Sequence, residues 1–167
     1  MLSRLLVVGA VLVGGVALLA GCGKKGEEKV AEKMIERASG GQADVDIQSG
    51  KVRIKTKDGE AEFTAEGSTW PGDLPGEVPK FEKGKLTGTN RVSQGDTESW
   101  ILVFEDVERK HFGEFIGELK SAGWKIMMTT SSEDAEIVQA VRDDLTLMTT
   151  YDGGDRGASI QVHRQSK

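Results

Sequence analysis

A short charged start and a long apolar run open the chain. Residues 1–4 hold one cation, Arg4, and residues 5–20 hold no charged side chain. This order is typical of the n-region and h-region of an export signal. A membrane-spanning helix needs about 20 apolar residues, whereas this run is shorter and contains three glycines, which disfavour a helix. The pattern therefore favours a cleaved signal, with a helix over its apolar run, rather than a permanent membrane helix.

The next periodic segment, residues 27–38, repeats its apolar positions at helical spacing. These positions are Val30, Ala31, Met34, Ile35 and Ala38. Gly40 and Gly41 follow and predict the end of the helix. The apolar stripe is narrow, and the sequence leaves open whether the helix lies on the membrane or docks on the domain that follows.

The period changes to two over residues 44–66, which is the spacing of strands. The apolar members of the alternation are Val45, Ile47, Val52, Ile54, Ala61, Phe63 and Ala65. Ser49-Gly50 and Asp58-Gly59 separate the runs and suit tight hairpin turns. The pattern predicts a three-stranded meander, which is marginal alone and should pack on the helix before it or on the domain after it.

All three prolines of the chain, Pro71, Pro75 and Pro79, lie close together. Proline fixes φ and biases the residue before it towards an extended conformation. We therefore expect residues 70–84 to form a semi-rigid linker and a domain boundary. Trp70 begins this segment. It either anchors the linker to the domain or serves as an interface residue, a role in which tryptophan is enriched.

Beyond the linker, the pattern predicts strands and one helix. Strands are expected at residues 86–92, 100–107, 124–128, 135–142, 145–151 and 158–163, and the helix at residues 109–122. Strand 100–107 carries apolar residues on both sides, which predicts a central strand covered at least partly on both sides. Segment 135–142 has a helical alternative, because a capping sequence precedes it. The helix contains Gly113-x-x-x-Gly117, from which we expect a close approach of the helix to the sheet or to a partner, with the sheet favoured.

The signal ends in Leu19-Ala20-Gly21-Cys22. This motif resembles the lipobox of bacterial lipoproteins at all four positions. The resemblance implies cleavage between Gly21 and Cys22, a lipid on the Cys22 sulfur, and anchoring by fatty-acyl chains such as palmitate. Cysteine suits this reaction because its thiolate is the nucleophile. Gly23 follows where aspartate is associated with inner-membrane retention, so a double-membraned bacterium would sort the protein to its outer membrane.

The layout of the mature chain also resembles that of small uncharacterised bacterial lipoproteins. The sharpest parts of the likeness are Trp70-Pro71 and the helix end Leu119-Lys120-Ser121-Ala122-Gly123-Trp124. The resemblance implies a tethered α+β domain and brings no assigned activity.

Composition narrows the chemistry. The chain has 22 basic and 27 acidic side chains, and loss of the signal removes one base, which argues against nucleic-acid binding. Cys22 is the only cysteine, so no intramolecular disulfide forms. His111 and His163 lack the spacing of a zinc site and are interpreted as solvated. No motif for a nucleophile with a matched base occurs.

Four aspartates fall in two predicted hairpin loops: Asp143 and Asp144 in one, Asp152 and Asp155 in the other. Neighbouring loops would let their oxygens gather around calcium. The spacing matches no EF-hand, and glycine-rich acidic loops are more often plain turns.

These observations lead to one interpretation. The fold class is α+β: a signal helix, a short amphipathic helix, a small β-meander and a mostly antiparallel sheet packed with one helix. The segments are a lipoprotein signal peptide (1–21), a lipid-anchored tether and helix (22–43), the meander (44–69), the linker (70–84) and the α+β domain (85–167).

For function, we expect a non-enzymatic binding or structural module without cofactor, metal or catalytic residues. It is held to the extracytoplasmic side of a bacterial membrane by Cys22 and contacts an envelope protein. The alternative is an envelope hydrolase or calcium-dependent enzyme that uses the acidic loops.

Overall fold

The computed structural model describes residues 32–33, 35–37, 43–48, 50–65 and 68–165. The predicted signal, including Gly21 and Cys22, lies outside these residues, as does most of the segment at 27–38, of which residues 32–33 and 35–37 are helical. The strands are β1 (Ala43–Gln48), β2 (Lys51–Thr56), β3 (Gly59–Thr64), β4 (Lys85–Gln94), β5 (Thr97–Glu105), β6 (Lys125–Ser131), β7 (Ala135–Arg142), β8 (Leu145–Asp152) and β9 (Gly157–Gln165), and helix α1 (Arg109–Ser121) lies between β5 and β6.

Nine strands of the described chain form one antiparallel sheet in the order β1-β2-β3-β4-β5-β9-β8-β7-β6. Short turns join β1 to β2, β2 to β3 and β4 to β5, whereas residues 65–84 connect β3 to β4; β6 to β9 follow each other as hairpins in the second half. Helix α1 carries the chain from β5 to the far edge, from which β9 returns to pair with β5. The expected antiparallel sheet is confirmed. The fold is so rich in strands that the α+β class fits it only loosely.

Local patterns account for most elements. The strand interpretation of residues 135–142 is confirmed against its helical alternative, since β7 pairs with β6 and β8. Helix α1 ends at the expected glycine, because Gly123 adopts φ +85° and Trp124 N–H donates to the Leu119 carbonyl at 3.0 Å.

The sheet has two faces that differ in cover. On the helix face, which α1 covers, Trp100, Leu102 and Phe104 of β5 are buried with side chains from β7, β8 and β9. The helix contributes four buried side chains to this core, Phe112, Phe115, Ile116 and Leu119. Gly113 and Gly117 are exposed, and a Cβ built on either meets nothing within 4 Å. The expected close approach of these glycines to the sheet is therefore wrong.

The face of the sheet that carries the apolar residues is not the same in β1, β2 and β3 as in the strands that α1 covers. In β1, β2 and β3 the helix face carries charged residues, and the apolar residues lie on the opposite face. We call this part of the opposite face the meander surface: Val45, Ile47, Val52, Ile54, Ala61 and Phe63. The meander continues directly into the rest of the sheet, because β3 pairs with β4 over six residue pairs.

The proline-rich segment contributes to the main core. Leu74, Val78 and Phe81 are buried there with residues of α1, β5 and β8. Two buried indoles bind the segment: Trp124 Nε1 donates to the Glu77 carbonyl at 2.8 Å and Trp100 Nε1 to Asp73 Oδ2 at 3.4 Å. Side chains of the predicted linker are thus part of the core. The domain boundary expected at residues 70–84 stays a prediction.

Candidate binding surface

The opposite face of β5, β6, β7, β8 and β9 has no element packed on it among the described residues. We call this region the open surface. In register across the five strands it carries Val103, Ser159, Thr150, Ile137 and Thr130 in one row and Ile101, Gln161, Met148, Gln139 and Met128 in the next. Charge is absent from both rows.

Large apolar side chains are exposed on the open surface. Val103 is 44% exposed, Ile137 37% and Met128 48%. The sequence predicted at least partial cover on both sides of β5. On the open surface Ile101 is half-buried, whereas Val103 is exposed, because α1 packs only on the helix face. Since β5 carries apolar residues on both faces, the sequence could not indicate which of the two faces a single helix would cover.

On the helix face, the first four strands carry charges that alternate in sign from strand to strand. Asp46 in β1 lies opposite Arg53 in β2, Arg53 opposite Glu62 in β3, and Glu62 opposite Arg91 in β4. Arg53 Nη2 and Glu62 Oε2 are 2.6 Å apart, and Lys51 Nζ is 2.7 Å from Glu62 Oε1. These pairs are part-exposed, so this charge ladder is a solvated surface whose single pairs contribute little stability.

The ladder shifts the ionisation of one carboxyl group. Partial burial alone would raise the pKa of Glu62, but its hydrogen bonds and charge interactions with Lys51 and Arg53 outweigh this effect and hold the pKa below its ordinary value. Glu62 therefore stays ionised over the range in which an isolated glutamate starts to take up a proton.

A serine and a histidine meet at the rim of the open surface. Ser99 Oγ lies 2.7 Å from His163 Nδ1 on the neighbouring strand. His163 also lines a shallow depression of about 450 Å³ together with Asp144 and Arg164. A serine nucleophile needs a base that a third group orients. Asp144 Oδ2 instead lies 3.5 Å from Arg164 Nε, and no described carboxylate bonds the imidazole, so the pair has the character of a surface hydrogen bond.

Sequence reasoning did not bring Ser99 and His163 together, since they are 64 residues apart. Of the two histidines, His163 is exposed, as expected, and His111 is half-buried.

The four loop aspartates do not meet. Asp143 and Asp144 precede β8, whereas Asp152 and Asp155 lie at its other end. An eight-residue strand separates its two ends by about 23 Å. The expectation that these hairpin loops are neighbours is wrong, because successive turns of a meander lie at alternate ends of the sheet. Asp152 Oδ1 accepts a hydrogen bond from the Gly154 N–H at 2.9 Å instead.

The described residues contain no group of three or more histidine, cysteine, aspartate or glutamate side chains placed to hold a metal ion. None of the described helices combines the length and hydropathy needed to cross a membrane.

Two sequence-predicted site residues remain to be placed. Trp70 is half-buried and packs against the main core; its role at an interface stays a prediction. Cys22 lies outside the described residues, and its lipidation likewise stays a prediction.

In comparisons with known proteins, no family model, curated protein or solved structure matches the chain.

Proposed function

We propose that this protein is a lipoprotein of the bacterial envelope and that its sheet is a non-enzymatic binding module. Lipid on Cys22 holds it to the extracytoplasmic side of a membrane, the outer one in a double-membraned bacterium. We also propose that the chain beyond the anchor is best described as an α+β domain with one packed helix. The observation that carries the binding role is the open surface.

The chemistry of the open surface indicates the kind of partner. Exposed Val103, Met128 and Ile137 lie among hydroxyl and amide side chains, a composition that fits the uncharged centre of a protein interface. Nucleic acid would require a basic surface, and most small-molecule sites are concave. We therefore assign the open surface to a protein of the envelope.

The alternative, a calcium-dependent enzyme or hydrolase, has weaker support. It needs the acidic loops to converge, and β8 holds them at opposite ends. The Ser99–His163 pair does not replace them, because no described acid orients the imidazole.

Site-specific photo-crosslinking in living cells tests the binding role. A photoreactive amino acid replaces Val103 on the open surface in one variant and Lys51 on the charge ladder in the control variant. We expect a defined adduct from position 103 and none from position 51. The proposal fails if position 103 gives no adduct or if both positions capture the same set of proteins.

Anchoring is tested separately by fractionation. The Cys22→Ser variant should lose acylation and appear in the soluble fraction or as unprocessed precursor, because serine does not supply the thiolate. The control variant Lys25→Ser keeps the thiol and should remain with the membrane. Unchanged acylation in Cys22→Ser would overturn the lipoprotein assignment.

A further inference from the structure

Two side chains of the meander surface are buried outside the main core. Val45 is 4% exposed and Ile47 9%, although both belong to β1, which is an edge strand of the described sheet and pairs only with β2. Val52 and Ile54 of β2 are only half-buried. Burial is therefore greatest at the edge itself, which means that something lies along β1.

The helical residues 32–33 and 35–37 lie beside this edge. Glu32 Oε1 accepts a hydrogen bond from the Ile47 N–H at 2.9 Å. Among these helical residues, Glu32, Ile35 and Glu36 are half-buried, whereas Lys33 and Arg37 are exposed. Spacings of three and four residues place the half-buried ones on one side of a helix.

We propose that the helical residues 32–33 and 35–37 of this chain dock on its own meander surface, with Ile35 covering Val45 and Ile47. The contact forms a second, smaller core on the face of the sheet opposite α1. The Glu32 carboxylate accepts a hydrogen bond from the Ile47 N–H of β1, which would otherwise be free at the sheet edge. Free backbone groups of this kind allow unprotected edges to pair with further strands.

The connection to the anchor is then short. Glu32 lies ten positions after Cys22, and ten fully extended residues span at most about 35 Å. Where Cys22 carries lipid, a docked segment keeps the β1 edge within that distance of the bilayer. The inference itself does not depend on the partner proposed for the open surface.

Hydrogen exchange of the full chain, read by mass spectrometry over residues 43–48, tests the proposal. The variant Ile35→Asp places a charge in the contact, and Lys33→Asp places the same charge on the exposed side of the same segment. We expect deuterium uptake at residues 43–48 to become about tenfold faster or more in Ile35→Asp. The reason is that undocking of the segment breaks the hydrogen bond from the Ile47 N–H to the Glu32 carboxylate. Uptake should stay unchanged in Lys33→Asp.

Strand β8 reports whether the fold survives, because its uptake should not change in either variant. If Ile35→Asp disturbs β8, Glu32→Ala replaces it and should release residues 43–48 alone. Unchanged uptake at residues 43–48 with β8 intact would overturn the proposal. Protection of residues 43–48 that appears only with anionic phospholipid vesicles, or only with envelope extract, would also overturn it, by identifying a membrane or another protein as the cover.

Discussion

Replacement of Phe81 by alanine distinguishes a proline-rich segment that belongs to the core from one that only connects domains. Phe81 is 6% exposed. Its ring lies 5.0 Å from that of Phe104 in β5 and 5.3 Å from that of Phe115 in α1, in edge-to-face geometry. The side chain thus joins the segment, the sheet and the helix at one point.

The expected cost follows from these contacts. Truncation of a buried phenylalanine to alanine costs about 3–5 kcal/mol, through lost burial and the cavity left behind. That loss includes two aromatic contacts worth about 0.5–1.5 kcal/mol each. A phenylalanine on a solvated linker would cost within about 0.5 kcal/mol. The two interpretations therefore differ severalfold.

Urea unfolding, followed by the fluorescence of buried Trp100 and Trp124, measures the free energy of unfolding. With a urea m-value of about 2 kcal/mol/M, Phe81→Ala should lower the transition midpoint by about 2 M. The control Glu82→Ala removes an exposed neighbour, whose ion pair with Lys80 spans 3.2 Å at the surface, and should shift the midpoint little. Equal, small shifts in both variants would refute the assignment of this segment to the core.

Two further predictions concern α1 and the charge ladder. Gly113→Ala and Gly117→Ala should each raise the free energy of unfolding by about 0.5–1 kcal/mol, because both sites are exposed, helical and open to a Cβ; a loss of stability would show that the glycines serve a contact. The lowered pKa of Glu62 contributes stability above the ordinary glutamate pKa of 4.5, and this contribution is lost as the pH falls through the lower folded value. Glu62→Gln should therefore weaken the acid-induced loss of stability below about pH 4.5, measured by thermal unfolding across pH, and an unchanged pH dependence would contradict this assignment.

The sequence predicted well those elements whose structure depends on the local pattern of residues. The strand at residues 135–142 has the predicted bounds, and its β-branched residues Ile137, Val138 and Val141 are of the type enriched in strands. The helix around Phe112 and Phe115 was predicted from the helical spacing of its apolar positions, and Gly123 marked its end through its tolerance of positive φ.

Features that depend on distant pairing were not predictable in this way. Nothing local indicates that β9 returns to pair with β5, so the meeting of Ser99 and His163 and the exposure of Val103 were missed. The burial of side chains from the proline-rich segment was not predicted, for a related reason. Proline constrains the backbone but does not determine whether neighbours such as Phe81 are buried.

The charge ladder has a consequence for which edges can meet. The charged residues of β1 on that face are both acids, Asp44 and Asp46, and the residues of β2 paired with them are the bases Lys55 and Arg53. A β1 edge brought against the β1 edge of another copy would place carboxylates opposite carboxylates, which is destabilising. Copies of the chain crowded on one surface are thus discouraged from joining their sheets at this edge. The alternation of charge that places opposite signs side by side within one molecule thus limits self-association between molecules.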